Sequence, residues 1–461
     1  MSHFTHPSRW LILLALGCLS CAGPESRVQP PGGRTEAIVI SPRQGALSEK
    51  AGDAALNRAA ETTAANTDVT RLLDAVRTAV DTPFMTGNAA QALIDGPQAL
   101  ASIGSAIAGA KHHIHIETYI FGDDEVGRKL AAQLKEKRAN GVDVRVLYDA
   151  VGSVSTPESF FADLREAGIE VLAYRPLTPE NTVLFLRMNN RDHRKIIVVD
   201  GEVGFTGGIN ISAAYSVSSR SRPGPDAGLD AGWRDTHVRL AGPVVQQLQA
   251  LFLATWIRAG GQVDAASLEF YPKMPAAGAE PVAIVASDGS DSSEASVYAT
   301  YLAVVRLATR RIWLTQAYFS PNQQFIDALI DAVKRGVDVR VVVPGFTDSG
   351  LIFNAARSRY KELLKGGVRL YEQREALVHA KTAVVDGVVS TVGSANLDMR
   401  SFIHNNEANA IIISRDFGAA LETVFERDML ASREVTLAEW QRRGILPRLK
   451  ESLSRLFSYW L

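Results

Sequence analysis

The chain has 461 residues, of which 46% are hydrophobic and 21% charged, with a formal net charge of -1. That length exceeds what one small core normally holds, so two packed domains are expected. The near-neutral balance lacks the basic excess of most nucleic-acid binders, and no nucleic-acid partner is expected. The two cysteines, Cys18 and Cys21, lie at the extreme N-terminus and leave the body without a disulfide framework.

Arg9 precedes the apolar run Trp10 to Leu16, which is too short to span a bilayer and reads as an export signal. Ala15 to Cys18 resembles a bacterial lipoprotein processing site, with Cys18 as the lipidated residue, so residues 1–21 form a signal region. Residues 22–66, rich in Pro, Gly, Ala and Ser, read as a disordered tether to a membrane outside the cytoplasm. Leu72, Leu73, Val76 and Val80 then fit a helical stripe that opens a first domain over 67–271.

Within that domain Ala89 to Ile107 suggests a turn and a helix, and His113 to Phe121 alternates as a strand. Val126 to Lys137 is an amphipathic helix that ends at Asn140-Gly141, and Val142 to Tyr148 is the next strand. Strand, helix, strand implies a right-handed parallel crossover. The unit recurs as Arg311 to Phe319, Asn322 to Arg335 and Gly336 to Val341, the last repeating Gly141 to Val146 letter for letter. The chain is therefore an internal duplication of an α/β domain. Residues 272–291 read as the linker, 216–232 as a mobile loop, and 292–461 as the second domain.

The chemistry sits on a doubled motif. Arg191 to Gly201 places His193 and Lys195 on one face of a strand, with Arg194 pointing away, and closes on Asp200-Gly201; Thr206-Gly-Gly-Ile-Asn210 follows. In the second copy His379, Lys381 and Asp386 have the same spacing, and Val392-Gly-Ser-Ala-Asn396 matches the closing segment. Two copies at equivalent places in a duplication make coincidence untenable. His112, His113 and His115 invite a metal reading, but a third ligand at suitable spacing is missing, and a strand with polar substituents is the plainer account.

The doubled motif resembles the signature of the phospholipase D superfamily, over roughly residues 82–461. The resemblance implies an α/β fold of two duplicated phospholipase D-like α-β-α sandwich domains with one shared active site. A phosphodiester resists attack because its anionic oxygens repel nucleophiles and its alkoxide leaves poorly, so a covalent intermediate divides the barrier. One neutral imidazole attacks phosphorus while a protonated one supplies the leaving alcohol's proton. Lys195, Lys381, Asn210 and Asn396 would hold the non-bridging oxygens, and no metal or other cofactor is required. By resemblance His193 is the nucleophile and His379 the general acid; the sequence itself is symmetric on this point. Each imidazole needs an acidic partner downstream of its motif, which in the superfamily pattern points to Glu407 for the second half and Asp235 for the first. Asp200 and Asp386 belong to the motif but read as turn residues that brace its strands. Tyr119 and Tyr318 end equivalent strands and could border the pocket.

Glu117 to Asp124, Val146 to Ser153, Trp233 to Pro243 and Gly393 to Ser401 look like bacterial cardiolipin synthases. That implies transfer of a phosphatidyl group between phospholipids, with phosphatidylglycerol as the expected substrate, by an enzyme active as a monomer at a membrane surface. A hydrolytic phospholipase D or nuclease, and a non-catalytic lipid-binding relic, are the other readings; the complete motifs argue against the relic. That family often carries two N-terminal membrane helices, whereas this sequence shows the short signal. Attachment is then expected through Cys18 or a C-terminal amphipathic helix carrying Leu446, Leu449, Leu453, Leu456, Phe457 and Trp460, or through both. Packing of that helix on the second domain is an equally open expectation.

Overall fold

A computed structural model of the chain describes residues 67–80, 82–177, 190–219, 232–263, 270–288, 296–347 and 349–457. The signal region, the tether, Cys18 and most of the loop expected at 216–232 lie outside them.

The first half runs α1 (Thr67–Ala79), β1 (Met85–Ile94), α2 (Asp95–Gly109), β2 (His113–Thr118), α3 (Glu125–Ala139), β3 (Asp143–Asp149), α4 (Glu158–Glu166) and β4 (Glu170–Tyr174). It continues with β5 (Ile196–Val199), β6 (Val203–Gly207), β7 (Trp233–Arg234), β8 (Thr236–Ala241) and α5 (Val245–Arg258). The second half follows as β9 (Glu280–Asp288), α6 (Ser296–Leu307), β10 (Arg311–Gln316), α7 (Gln323–Lys334), β11 (Asp338–Pro344), α8 (Gly350–Arg357), α9 (Tyr360–Lys365) and β12 (Arg369–Gln373). Then come β13 (Leu377–Val378), β14 (Lys381–Val385), β15 (Val389–Gly393), β16 (Asn406–Ile413), α10 (Arg415–Leu430), β17 (Ser432–Val435), α11 (Leu437–Arg442) and α12 (Ile445–Arg455).

Among the described residues one sheet of 15 strands carries both halves, in the order β17-β12-β11-β10-β14-β15-β16-β9-β1-β8-β6-β5-β2-β3-β4. From the antiparallel β1/β9 junction outward, β1-β8-β6-β5-β2-β3-β4 matches β9-β16-β15-β14-β10-β11-β12 strand for strand. The duplication is thus a pseudo-twofold about that junction. Helices cover both faces: Ile103, Ile107, Leu130 and Leu134 bury one side of the first half, and Val245, Leu248, Phe417 and Leu421 line an apolar layer under the centre of the sheet.

Three boundaries differ from the sequence reading. The expected linker contains β9, a nine-residue strand at the centre of the sheet that hydrogen-bonds β16 and β1. Residues 89–94, expected as turn and helix, belong to β1, whose apolar and small residues do not alternate cleanly because both faces are covered. Helix α1, assigned to the first domain, buries Leu72, Leu73 and Val76 with Val297, Tyr301 and Val305 of the second. Its apolar stripe needs a covered partner, and α6 supplies one.

Asp200 and Asp386 brace the ends of the motif strands. Both adopt left-handed backbone, with φ of 54°. Their carboxylates accept from successive backbone N–H groups, those of Lys111, His112 and His113 for Asp200 and of Thr309, Arg310 and Arg311 for Asp386, at 2.8–2.9 Å. Each therefore ties the far end of a motif strand to the start of β2 or β10. Both carboxylates are thus taken up by backbone groups at the end of the motif strand away from His193 and His379.

Candidate active site

Along the first motif, alternation sends His193, Lys195 and Ile197 to the α2/α3 face and Arg194 to the other. Arg194 is fully buried there, donating to Thr255 Oγ1 (2.8 Å) on α5, to Ser287 O (2.5 Å) on β9 and to Glu407 O (3.1 Å) on β16. It fastens the motif strand to the other half of the sheet.

Short crossed pairings then bring the motifs together. β13 lies parallel to β7, with Val378 opposite Arg234, and His379 N donates to Arg234 O at 2.8 Å. The next residue after Arg234 is Asp235, so this register sets His379 beside Asp235. A parallel bridge between Asp192 and Asn406, with His193 N donating to Asn406 O at 3.0 Å, sets His193 beside Glu407 in the same way. His379 Nδ1 is 2.7 Å from Asp235 Oδ2, and His193 Nδ1 is 3.1 Å from both oxygens of Glu407. This corrects the partner assignment: each carboxylate serves the histidine of the other half. Identical spacing in the two copies carries no information about the exchange.

With Nδ1 engaged by a carboxylate, Nε2 is the ring nitrogen each histidine can offer a substrate. Both imidazoles line one cavity of about 220 Å³, with Asn210, Asn396, Tyr119 and Tyr318 in its wall. The expected borders and amide donors therefore meet there. The lysines do not line that cavity; Lys195 Nζ donates to His193 O at 2.5 Å, and Lys381 Nζ donates to His379 O and sits 3.0 Å from His379 Nδ1. Both lie behind the rings, where burial lowers the Lys195 ammonium to about 7 against the pull of Glu407. Sequence reasoning missed Arg191 and Arg400, cations in the cavity wall. It also missed Tyr215, whose hydroxyl lies 3.2 Å from His379 Nδ1 and accepts from Asn210 Nδ2 at 3.0 Å. Arg191 and Arg400 lie within the segments Arg191 to Gly201 and Gly393 to Ser401, where a cation beside a phosphate-binding sequence is the available signal.

The two ends of the site are electrostatically unequal. Burial, reinforced by Lys195 and Lys381, drives the His193 imidazole well below its usual range, and burial with Lys381 brings His379 to about 4. Burial lifts Glu407 to about 7 against the pull of Lys195. Asp235 is equally buried, but the His379 ring, their hydrogen bond and Lys381 outweigh that penalty and hold it below the ordinary carboxylate range. Glycine is required at Gly208, where a Cβ would fall 2.1 Å from Asp235 Oδ1; the equivalent Ser394 instead donates its hydroxyl to Glu407 Oε2 at 2.5 Å. His113 and His115 form no part of this site. They share Gln249 on the opposite face of β2 and pack against Phe252 and Phe270.

A fold of two equivalent halves that closes two His-Lys motifs on one anion-sized cavity defines a phospholipase D-type architecture. The family described as cardiolipin synthase, PLD-like domain, matches residues 103–220 and 301–429. Cardiolipin synthase 1 of Bacillus cereus is 36% identical over 372 residues, 79% of this chain and 71% of that protein. The major cardiolipin synthase ClsA of Bacillus subtilis is 37% identical over 378 residues, 81% and 76% of the respective chains. A solved phosphatidylserine synthase of Haemophilus influenzae shares the fold with a TM-score of 0.65 at 13% identity, over 85% of this chain and all of that one. The chain belongs to the cardiolipin synthase family of phospholipase D-like proteins.

Proposed function

We propose that the protein is a phosphatidyltransferase that joins two phosphatidylglycerols into cardiolipin and releases glycerol. The observation that carries this reading is the pair of carboxylate-held imidazoles from the two halves, opening on one cavity of about 220 Å³. His193 Nε2 attacks phosphorus and the phosphorus–oxygen bond to glycerol breaks, the glycerol oxygen taking a proton from His379. A hydroxyl of the second phosphatidylglycerol then attacks the phosphatidyl-histidine, giving its proton to His379, and the phosphorus–nitrogen bond breaks to restore His193. The inequality of the two ends supports this assignment. The ionised Asp235, at 2.7 Å, stabilises an imidazolium at His379, whereas Glu407 leaves His193 neutral and nucleophilic. An arriving phosphodiester anion offsets Lys195 and Lys381 and favours protonation of His379. One chain supplies both imidazoles, so a monomer suffices.

Vesicles of phosphatidylglycerol incubated with the purified protein are expected to yield cardiolipin and glycerol in equal amounts by mass spectrometry. Phosphatidic acid as the main product under every donor mixture would replace this reading with that of a hydrolase. Water is present at roughly 55 M, so transfer needs a positioned acceptor, and positioning supplies effective molarities of about 10⁵ M or more.

Membrane contact is proposed through α12. Two of its polar residues face inward: Glu451 and Ser454 are buried, Arg443 Nη2 donates to Glu451 Oε2 at 3.0 Å, and Arg357 Nε of α8 lies 3.7 Å from Glu451. Its apolar residues face out, with Ile445, Leu446, Leu449, Leu453 and Leu456 between 53% and 81% exposed. Arg448, Lys450 and Arg455 are exposed among them. An amphipathic helix turned this way suits an anionic lipid surface, where each fully buried leucine contributes about 1.5–3 kcal/mol and each nearby cation about 1 kcal/mol. α12 packs on α8, whose Ile352 lines the catalytic cavity, so a bilayer under this helix brings substrate close to the site. Among the described residues no helix is long and apolar enough to cross a membrane. Leu449→Glu/Leu453→Glu is expected to lower sedimentation with phosphatidylglycerol vesicles at least tenfold while the protein stays folded; unchanged sedimentation contradicts the contact. We also propose that the chain is exported and anchored through lipidated Cys18, on the strength of the Ala15 to Cys18 segment. Cys18→Ser should then move protein from the membrane fraction of cells to the soluble one, and an unchanged distribution contradicts the anchor.

A further inference from the structure

The catalytic cavity is not the largest in the molecule. A second one, of about 510 Å³, lies in the first half between α2, α3 and the sheet. Leu100, Ile103, Leu130, Ile197 and Ile209 form its apolar walls, Gly104, Lys129 and Gln133 stand at its edge, and Lys195, Asn210 and His237 line its polar part. Asn210 also lines the catalytic cavity, so the two spaces share that residue.

The duplication shows that this hollow is a departure from the shared fold. Aligning the braced strand starts, Lys111 to His113 with Thr309 to Arg311, sets Leu100, Ile103 and Gly104 of α2 opposite Tyr298, Tyr301 and Leu302 of α6. Aligning Asp235 with Glu407 sets His237 opposite Asn409. In the second half the larger side chains fill the space, leaving about 10 Å³ beside Tyr301 and Thr391. There the Asn409 amide donates to Tyr301 Oη (3.3 Å) and Thr391 Oγ1 (2.9 Å). In the first half the smaller side chains open the space, and His237, 1% exposed, has no hydrogen-bonding partner on either ring nitrogen among the described residues. A buried polar group left without a partner costs stability unless a ligand or water meets it. The cavity is within the size range of ligand pockets, apolar with a few convergent polar groups.

We infer that this cavity binds an amphiphile with a single alkyl chain, the chain against Leu100, Ile103 and Leu130 and an anionic head beside Lys195 and His237. The site is separate from the catalytic cavity, yet its polar part includes the lysine that donates to the His193 carbonyl, so occupancy bears on the nucleophile's setting. The inference rests on the cavity's own lining and is read without turnover, so its failure leaves the transferase reading untouched.

The test is calorimetric titration of the whole protein with lauric acid and with a twelve-carbon lysophosphatidylglycerol, each below its micelle concentration. One saturable site is expected for at least one probe, and the tighter of the two identifies whether a free acid or a lipid head is preferred. Ile103→Tyr/Gly104→Leu installs the second half's residues, fills the cavity and gives His237 the hydroxyl partner that Asn409 has. It is expected to weaken binding at least tenfold without lowering the melting temperature. Gly104→Leu alone, whose Cβ would meet Gln133 at 3.6 Å, serves the same comparison if the double variant does not fold. Equal affinity in the wild type and the filled variant, or no saturable binding of either probe by the wild type, overturns the inference.

Discussion

His193→Ala is expected to reduce cardiolipin formation from phosphatidylglycerol vesicles by about 10⁴-fold or more, the scale on which removal of a nucleophile in a working catalytic unit is felt. The loss should be insensitive to leaving group, because without the imidazole no bond forms to phosphorus whatever departs. Arg194 and Lys195 keep the strand in place through contacts that do not involve the ring, so the fold should be retained. A residual rate within tenfold of the wild type, in a folded protein, contradicts the role assigned to His193.

His379→Ala should behave differently. With phosphatidylglycerol, whose glycerol must leave with a proton, a loss of about 10²–10⁴-fold is expected, the usual worth of a general acid. With a phosphatidyl ester of p-nitrophenol the leaving group needs no proton, and release of the first equivalent of nitrophenol should approach the wild-type rate. Turnover beyond that equivalent should remain slow, since His379 is also the base for the incoming hydroxyl. Loss of the first-equivalent burst, equal to that in His193→Ala, contradicts the division of labour. Asp235 takes part through His379, at 2.7 Å, so Asp235→Asn should reproduce this leaving-group dependence in weaker form.

The sequence made the strands and the motif residues legible, because apolar runs such as Ile196 to Val199 end in turns and the His-x-Lys spacing repeats. It also made Asp200 and Asp386 legible as braces, since Asp-Gly after a buried strand predicts a tight turn. The pairing of carboxylate with histidine was beyond it. Asp235 and Glu407 occupy equivalent places in the two copies, and the parallel pairing of Val378 with Arg234 decides which imidazole each reaches. Strand β9 was hidden for a related reason: pairing with β16 and β1 supplies the stability, and its neighbourhood of Pro, Gly, Ser and Asp reads as a joint. The orientation of α12 was also undecided by periodicity, which gives an apolar stripe without saying which way it faces. The salt bridges from Arg443 and Arg357 to Glu451 turn the face carrying Glu451 and Ser454 inward.

The central claim is that two imidazoles from the two halves act on one phosphorus, His193 bonding to it and His379 moving protons. It is tested most directly by trapping the intermediate. Phosphorus-labelled phosphatidyl p-nitrophenol is mixed with the wild type, His193→Ala and His379→Ala, quenched in alkaline denaturant, digested and mapped by mass spectrometry. The account predicts label in His379→Ala on the peptide that carries His193, and none in His193→Ala. Label on His379 in His193→Ala with none in His379→Ala, or no protein-bound label in any of the three, would contradict it.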